Sequence, residues 1–372
     1  MKLLGLIPEP PLDPLSWSGS SAHLFSALSK RGELASAREV RLPVAQEACY
    51  KLLTVRFPLK RWRTAYHGSV ARFSALSRVA EREVRNALDI TAVLQVGAWF
   101  SIGARVRQPC FSYHDGNAAL WYQMYGRGLS SSSEVRRHLA WEQKTYSEMR
   151  AIFVMSAWLA SSFKNDFSVP SSKIHVVGAG INFTHLPALS PLVAKEPKFL
   201  FVGRDFERKG GLDLLAAFRE VRREIPEATL TIVGPESGPL EAGVIFAGYL
   251  NKSLPADMAR LQKLFQSALG FVLPSIYEPF GISLLEAMSY GVPCIAVDRC
   301  AMPEIVLNEQ TGLIVPSGDV KKLATAMIAL AKSPDTAAIF GREGRKRVEE
   351  HFTWSAVTKK ISDVINSEIG KK

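Results

Sequence analysis

Two carboxylates eight residues apart are the clearest candidates for chemistry in this sequence. Glu278 and Glu286 stand on either side of Gly281 in the segment PSIYEPFGISLLEAM, residues 274–288. Carboxylates accept hydrogen bonds from hydroxyl groups, and the free N–H groups at the start of a helix bind phosphates. This combination predicts a site for a polyhydroxylated ligand that carries phosphate.

The elements around this pair can be predicted from the hydrophobic pattern. Residues 268–273 form a short apolar run that predicts a buried parallel strand. Residues 282–290 have apolar positions at helical spacing and are followed by glycine and proline, which end a helix. Glu278 therefore lies in the loop after a strand, and Glu286 lies about one turn inside a helix. The alternative is that Ser283 and Glu286 form a capping box, which would use that carboxylate locally.

A second candidate turn carries cations. The predicted strand 199–202 runs into a glycine-bounded turn that contains Arg204 and Lys209. Both side chains could converge on one anionic group, the arginine as a fork and the lysine as a point charge. They would stabilise negative charge growing on a departing diphosphate without a metal ion. The alternative is a solvent-exposed loop in which Asp205 and Glu207 are their partners.

The first half of the chain offers two further candidates. His114 ends the predicted strand 110–114, where it could donate a hydrogen bond to a sugar hydroxyl or to a reacting centre, oriented by Asp115. Gly19 opens a predicted helix and would let the backbone approach a phosphate closely. The alternatives are a structural histidine and an ordinary helix cap. The long loop before Gly19 lacks the G-x-G-x-x-G pattern, which disfavours NAD binding.

Length and composition set the frame for these sites. The 372 residues, 47% of them hydrophobic, are enough for two domain cores. No apolar run approaches the roughly 20 residues that a membrane span requires, and the N-terminal apolar run is too short for a signal peptide. The four cysteines lack metal-ligand spacing and disulfide density. We expect a cytoplasmic protein with four free thiols.

The positive charge is concentrated in the first half. The net charge is +11, and residues 1–190 hold 23 Lys and Arg against 13 Asp and Glu. The stretch from Lys51 to Arg85 has nine basic residues interleaved with four aromatic ones. Such a stretch is typical of peripheral contact with the inner face of a membrane, or of a site for an anionic acceptor. The alternative is a solvated helix face that maintains solubility.

Strand-like runs alternate with helix-length segments, which predicts α/β architecture with parallel sheets. The expected strands are 3–7, 93–96, 110–114, 152–155, 174–177, 199–202, 230–233, 244–246, 270–273, 294–297 and 313–315. They predict two Rossmann-like domains, 1–190 and 191–352, with a boundary in a proline-framed linker near residue 190. The four serines 130–133 are expected to end a loop and cap the next helix.

Together these segments resemble the retaining glycosyltransferases of family 4, which have the GT-B fold. The motifs that carry the resemblance are Ser18-Gly19-Ser20, Tyr113-His114-Asp115, Ser156-Ala157-Trp158, Lys173-Ile174, Gly180-Ile181-Asn182, Gly203-Arg204, Lys209-Gly210, the Glu278 to Glu286 motif, Pro303-Glu304-Ile305-Val306 and Gly312-Leu313. The resemblance implies two parallel-sheet domains that face each other across a deep cleft. It also implies that the last segment, 353–372, is a helix that crosses back onto the first domain.

The resemblance assigns roles to the candidate residues. Arg204 and Lys209 would hold the donor diphosphate, and Glu286 the ribose hydroxyls. Glu278 and the backbone of residues 280–283 would hold the transferred sugar, which His114 would contact from the first domain. The implied catalytic residues are His114, Glu278, Arg204 and Lys209. The implied donor-binding residues are Gly19, Arg204, Lys209, Glu278, Phe280, Gly281, Ile282, Ser283 and Glu286, with no metal ion and no cofactor.

The implied reaction moves a hexose-type sugar from a UDP- or GDP-type donor to a hydroxyl acceptor, with retention of configuration. Glycan, polysaccharide or glycolipid synthesis would use it, and the basic stretch favours a lipid-linked or anionic acceptor. The alternative enzyme is a nucleotide-sugar epimerase of GT-B architecture. A phosphorylase would need a pyridoxal lysine and a longer chain. A nucleic-acid module is disfavoured because no helix-turn-helix, zinc or RNA-binding signature is present.

Two positions depart from the family pattern. Cys300-Ala301 stands before Pro303, where family members often have a pair of glycines, so that loop is expected to be less permissive near the donor. The N-terminal loop has Gly19-Ser20 instead of two glycines, which weakens the expected contact with a phosphate.

Overall fold

The computed structural model describes residues 1–124, 126–189 and 196–370. The chain divides into two compact units: one contains residues 1–178 and the C-terminal segment from Trp354, and the other contains residues 179–353. The boundary expected near residue 190 falls in 190–195, outside the described residues, as do residues 371 and 372.

The first unit is built on one parallel sheet. Its strands are β1 (Leu3–Ile7), β2 (Leu34–Glu39), β3 (Ala92–Val96), β4 (Cys110–His114), β5 (Ala151–Val154) and β6 (Ile174–Val176). They lie in the order β2–β1–β3–β4–β5–β6, and every pairing is parallel. The helices before β6 are α1 (Ser20–Lys30), α2 (Val44–Leu53), α3 (Leu59–His67), α4 (Val70–Arg85), α5 (Ala118–Met124), α6 (Ser132–Glu148) and α7 (Ala157–Phe167).

The sequence predicted five of these strands and missed β2. Strands β1, β3, β4 and β5 are buried at every residue, as expected for parallel strands covered on both faces. Strand β2, with the sequence LASARE, is an edge strand in which every residue is at least partly exposed, so it lacks the continuous apolar run that marks the others. The serine cap is confirmed, because Ser131 caps α6 and forms a capping box with Glu134.

The second unit repeats the architecture. Its strands are β7 (Lys198–Val202), β8 (Thr229–Val233), β9 (Val244–Gly248), β10 (Gly270–Leu273), β11 (Cys294–Val297) and β12 (Gly312–Val315). They lie in the order β12–β11–β10–β7–β8–β9, again all parallel. The helices are α8 (Gly211–Glu224), α9 (Pro255–Ser267), α10 (Ile282–Ser289), α11 (Met302–Ile305), α12 (Val320–Lys332) and α13 (Pro334–His351). The expectation of two Rossmann-like units with parallel sheets is confirmed.

The C-terminal helix α14 (Trp354–Gly370) belongs to the first unit. It packs against α1 and β5 and buries one apolar face that includes Val357, Ile361 and Ile365. Two polar contacts add to this packing. Ser362 donates a hydrogen bond to Glu33, the residue before β2, and Arg150 forms an ion pair with Glu368 at 3.3 Å.

None of the described helices combines the length and apolar character that crossing a bilayer requires. All four cysteines are free: Cys49 is exposed, and Cys110, Cys294 and Cys300 are buried. The expectation of four free thiols is therefore confirmed.

Candidate functional site

The candidate residues of the second unit lie where its strand order reverses. Strand β7 pairs with β8 on one side and with β10 on the other. Because β7 and β10 are parallel neighbours, the turn after β7 and the loop after β10 begin at the same edge of the sheet. Ligands of open α/β sheets bind outside the carboxyl ends of strands at such a reversal. The turn after β7 carries Lys209, and the loop after β10 carries Glu278.

Lys209 and Glu278 meet across this edge. The Lys209 Nζ atom lies 3.0 Å from Glu278 Oε2, and both side chains are about 15% exposed. Arg208 approaches the same oxygen, with its Nη1 atom 3.8 Å away. That arginine is fixed by Asp205, whose carboxylate accepts a hydrogen bond from Arg208 Nε at 3.0 Å, and by the carbonyl of Tyr277. Two cations therefore flank one largely buried carboxylate.

Glycines make this turn possible. Gly210 has φ +75°, and a Cβ atom there would lie 2.0 Å from the carbonyl oxygen of Pro274. The side chain of Lys209 packs on Gly203, and its Cδ atom would lie 2.3 Å from a Cβ atom added to that glycine. Gly210 is also the N-cap residue of α8. The turn after β7 thus packs directly against the end of β10, which holds Lys209 beside Glu278.

Glu286 has a partner that the sequence did not reveal. Its side chain is 1% exposed, and its Oε1 atom is contacted by the ammonium group of Lys252. Lys252 lies in the segment after β9, and its Nζ atom is 5.8 Å from the centre of the Phe183 ring. The carboxylate also helps to raise the pKa of neighbouring Tyr290 to about 12, although burial is the larger cause. Glu286 is thus a buried charge with one partly exposed countercharge.

The capping-box alternative for Ser283 and Glu286 is wrong. The N-cap residue of α10 is Gly281, with φ +78°, and no side chain caps the helix. The Ser283 hydroxyl is buried and has no hydrogen-bond partner among the described residues, and the Ser275 hydroxyl at the end of β10 is in the same state. A buried polar atom without a partner is uncommon. The Ser283 hydroxyl, in the first turn of a helix that no side chain caps, is therefore suited to hold a polar ligand.

Arg204 does not share a contact with Lys209. Its guanidinium lies over the ring of Tyr249, 4.7 Å from the ring centre, and the residue is exposed. That Arg204 and Lys209 could converge on one anionic group of a ligand stays a prediction. The arginine that lies next to Glu278 is Arg208. The alternative is that Asp205 and Glu207 are the partners of Arg204 and Lys209. Asp205 instead pairs with Arg208. Local spacing could not decide which of two arginines turns inwards.

Cys300, at one of the positions that depart from the family pattern, lies next to Glu278. It has φ +52°, a left-handed conformation that glycine adopts without strain. Burial raises the pKa of its thiol, and a hydrogen bond involving the backbone of Glu278 opposes that effect. The unusual backbone conformation explains why glycine suits this position. The cysteine side chain fills space next to the candidate site.

His114 is buried in the first unit. It is 2% exposed and packs edge-on against Tyr146, with ring centres 5.3 Å apart, and against Phe163 at 5.1 Å. Burial lowers its pKa to about 3, so the imidazole is neutral at physiological pH. Its Nε2 atom has no hydrogen-bond partner among the described residues. The histidine therefore combines a structural setting with one unused polar atom, and its role stays a prediction.

Gly19 is the N-cap residue of α1, with φ +89° and no side-chain cap. The alternative of a serine cap is therefore wrong. The two preceding residues, Trp17 and Ser18, also have positive φ, +46° and +57°. The Trp17 indole fixes this strained turn because it donates a hydrogen bond to Asp115 at 3.1 Å and packs against Tyr113. Asp115 thus orients the turn before α1, and the role of Gly19 towards a ligand stays a prediction.

No group of three or more metal-ligating side chains occurs in the part of the chain that the structure describes. The countercharges at the candidate site are instead the side chains of Lys209, Arg208 and Lys252.

Comparison with known sequences finds one matching family and several relatives. Residues 186–347 match the family described as Glycosyl transferases group 1. A glycogen synthase of Mycobacterium tuberculosis is 30% identical over 259 residues, 63% of this chain and 61% of that protein. A sulfoquinovosyl transferase of Arabidopsis thaliana is 31% identical over 175 residues, 45% of this chain and 32% of that protein. The chain thus spans less than two thirds of the length of these relatives.

Comparison with solved structures covers the whole chain. Sucrose-phosphate synthase from Thermosynechococcus elongatus superposes with a TM-score of 0.74 and 19% identity, over 100% of both chains. The Anabaena protein HepE, in complex with UDP and glucose, superposes with a TM-score of 0.70 and 15% identity, over 99% of this chain and 100% of that one. The chain therefore has the GT-B fold. Within it, the second unit contains the segment that matches glycosyl transferases group 1.

Proposed function

We propose that this protein is a retaining glycosyltransferase that moves a hexose-type sugar from a nucleoside-diphosphate donor to a hydroxyl acceptor in glycan, polysaccharide or glycolipid synthesis. The observation that carries the proposal is the cluster of Lys209, Arg208 and Glu278 at the reversal between β7 and β10, beside the start of α10. The match of residues 186–347 to glycosyl transferases group 1 supports it. So do relatives named as glycogen synthase and mannosyltransferase.

The donor uses the second unit. Lys209 and the exposed Arg204 hold the diphosphate, and Arg208 adds positive charge next to Lys209. The first turn of α10, with Gly281, Ile282 and Ser283, contributes backbone N–H groups and the positive end of the helix dipole. Glu286 accepts hydrogen bonds from ribose hydroxyls, and Glu278, with the backbone from Phe280 to Ser283, binds the sugar.

The chemical step follows from this charge arrangement. The bond between the anomeric carbon and the diphosphate oxygen breaks, and the acceptor oxygen bonds to the anomeric carbon on the same face. The proton of the acceptor hydroxyl passes to the departing phosphate oxygen. Lys209 and the helix start stabilise the negative charge that grows on the leaving group, and such fixed charges are a large part of enzymatic catalysis. Because these cations supply the countercharge, the proposal includes no metal ion and no cofactor.

The first unit contributes Gly19 and His114. The backbone at Gly19 contacts a phosphate, and the unused Nε2 atom of the neutral His114 exchanges a hydrogen bond with a sugar hydroxyl. The donor is of the UDP or GDP type. The acceptor is lipid-linked or anionic, and the protein acts in the cytoplasm with peripheral contact to the inner membrane face through Lys51 to Arg85. No observation favours the epimerase alternative.

The test has a binding arm and a transfer arm. A panel of UDP- and GDP-sugars is screened by thermal shift, because a ligand at 100 times its Kd adds about 2.7 kcal/mol of stability. Transfer of the matching sugar is then measured for Lys209→Met and Glu278→Gln. We expect each variant to lose transfer by at least about 100-fold, in line with the loss of one transition-state contact.

Matched controls are available in the same unit. Lys263→Met and Glu343→Gln make the same chemical changes at exposed positions of α9 and α13, and both should retain full activity. The proposal fails if no nucleotide sugar stabilises the protein. It also fails if Lys209→Met and Glu278→Gln turn over like their controls, or if the pure protein isomerises the donor without an acceptor.

A further inference from the structure

The segment that joins α2 to α3 carries an unusual set of exposed apolar side chains. We call it the apolar tip, and it consists of Leu52, Leu53, Val55, Phe57 and Leu59. Their exposed fractions are 74%, 76%, 50%, 89% and 51%. Single exposed apolar residues are normal on a protein surface, but a contiguous group marks an interaction site.

The apolar tip is held in place by its neighbours. The Trp62 indole of α3 donates a hydrogen bond to the carbonyl of Lys51 at the end of α2, at 3.0 Å. The Thr54 hydroxyl donates to the carbonyl of Tyr50 at 2.7 Å. The first bond joins α3 to the end of α2, and the second fixes the last turn of α2. The apolar side chains therefore lie on a turn that is tied at both ends by hydrogen bonds to its flanking helices.

Most of the cations around the apolar tip have no acidic partner among the described residues. Lys51, Arg56, Lys60, Arg61 and Arg63 lie within or beside it, and no Asp or Glu occurs in residues 48–80. Arg56 pairs with Glu134 at 2.5 Å. The other four cations have no ion pair among the described residues. The surface is thus both apolar and strongly positive.

We propose that the apolar tip inserts into the interfacial region of a bilayer that contains anionic phospholipids. Leucine and phenylalanine side chains bury their apolar surface at the boundary between headgroups and acyl chains, while lysine and arginine bind the anionic headgroups. This inference rests on the membrane contact of the proposed function, which it narrows from Lys51 to Arg85 to the apolar tip and extends to insertion. It is independent of the transfer chemistry of the second unit, so vesicle binding and sugar transfer can fail separately.

Charge favours a membrane over a second copy of this chain. A symmetric dimer through the apolar tip would bring the same cations of both copies together, because a two-fold interface places identical patches against each other. Like charges at close range oppose such contact. An anionic lipid surface instead complements the four unpaired cations of the segment, and its acyl-chain boundary accepts the apolar side chains.

The first test is vesicle flotation of the full chain. Vesicles of phosphatidylcholine alone are compared with vesicles that contain phosphatidylglycerol. We expect flotation only with the anionic vesicles. The double variant Leu53→Ser/Phe57→Ser should bind at least about tenfold more weakly, because it removes two inserted side chains. Lys60→Gln/Arg61→Gln should lose about fivefold per cation.

The matched control is Leu88→Ser. Leu88 is 84% exposed in the same unit but lies outside the apolar tip, between α4 and β3, so this variant should float like the unmodified protein. All the substituted side chains are exposed, and thermal melts of each variant verify that the fold is kept.

A second readout reports insertion directly. Cys49 on α2 is the exposed thiol of the protein, and the other three are buried. An environment-sensitive dye on Cys49 should shift its emission to the blue with anionic vesicles and not with neutral ones. Equal binding of Leu53→Ser/Phe57→Ser and the unmodified protein would overturn the proposal. So would a dimer in solution that this double variant dissociates, because a second copy would then cover the tip.

Discussion

The ion pair of Lys252 and Glu286 makes a sharp prediction about donor binding. Replacing Lys252 with methionine keeps most of the side-chain volume but leaves a carboxylate that is 1% exposed without its countercharge. Removing one partner of a fully buried pair costs roughly 3–5 kcal/mol. Because the Lys252 side chain is 37% exposed, solvent reduces this cost, and we expect a loss of about 2 kcal/mol.

Two measurements follow from this loss. For a unit of this size, 1 kcal/mol corresponds to a shift of about 2–4 °C in Tm, so Lys252→Met should melt about 4–8 °C lower. The affinity for the nucleoside diphosphate should fall about tenfold, equivalent to 1.4 kcal/mol, because the Glu286 carboxylate loses the side chain that fixes its position towards ribose hydroxyls. Isothermal titration with UDP and GDP measures this directly.

Controls separate position from charge. Lys252→Arg keeps the cation and should retain most of the affinity, whereas Lys263→Met makes the same substitution at an exposed position of α9 and should change neither property. The double variant Lys252→Met/Glu286→Gln should lose less than the sum of its single variants, since the two residues share one contact. Nucleotide that binds Lys252→Met as well as, or more tightly than, the unmodified protein would refute the reasoning. It would mean that Lys252 competes with ribose for Glu286.

Three predictions concern stability. Burial raises the pKa of Glu142 to about 7. Between pH 4.5 and about 7 the folded state therefore keeps a proton on Glu142 that the unfolded state has released. The free energy of unfolding should fall by on the order of 3 kcal/mol as the pH rises through this range. In urea titrations, Glu142→Gln should remove this fall. The pKa of His114, lowered to about 3 by burial, has the opposite consequence. Stability should fall as pH drops below about 6.5. The fall should be shallower in His114→Asn than in the unmodified protein, because His67 and His138, whose pKa values are also lowered by burial to about 4, supply the rest of it; an equal fall in both proteins would contradict the assignment. Gly210→Ala should lower the free energy of unfolding by more than about 3 kcal/mol, because its Cβ would lie 2.0 Å from the carbonyl oxygen of Pro274. Gly318 has a similar φ of +80° but open space around it. Gly318→Ala should therefore cost only the strain of the left-handed conformation, about 1–2 kcal/mol. Equal losses in denaturant midpoints would contradict this contact.

Much of the second unit could be predicted because its signals are local. The strand β10 is a continuous apolar run that ends at a proline, and α10 starts just after Gly281. Those two features alone locate Glu278 in a loop and Glu286 inside a helix. The GxxxxxKGG turn after β7 was predicted for the same reason, since its glycines mark a tight connection that the structure shows packed against Pro274.

The partners of these residues could not be predicted because they are set by strand order. Arg208 and Lys252 are 70 and 34 residues away from the carboxylates that they contact, and no local pattern distinguishes them from other cations. Arg208, not Arg204, turns towards Glu278 because Asp205 accepts its Nε–H and Tyr277 accepts its Nη1–H. The second of these acceptors exists only once β7 and β10 are neighbours.

The same dependence on neighbours explains why His114 is ambiguous. Its place at the end of β4 follows from the sequence, but side chains alternate between the two faces of a strand, and a strand buried on both faces gives no sign of which side is filled. Tyr113 points towards Gly178 and Trp354, and His114 points into the aromatic group of Tyr146 and Phe163. A neutral imidazole in that setting cannot act as a cationic catalyst near neutral pH. Any contribution to sugar transfer must therefore come from the hydrogen-bonding capacity of its unpaired Nε2 atom, and a histidine-dependent pH optimum between 5 and 8 is not expected.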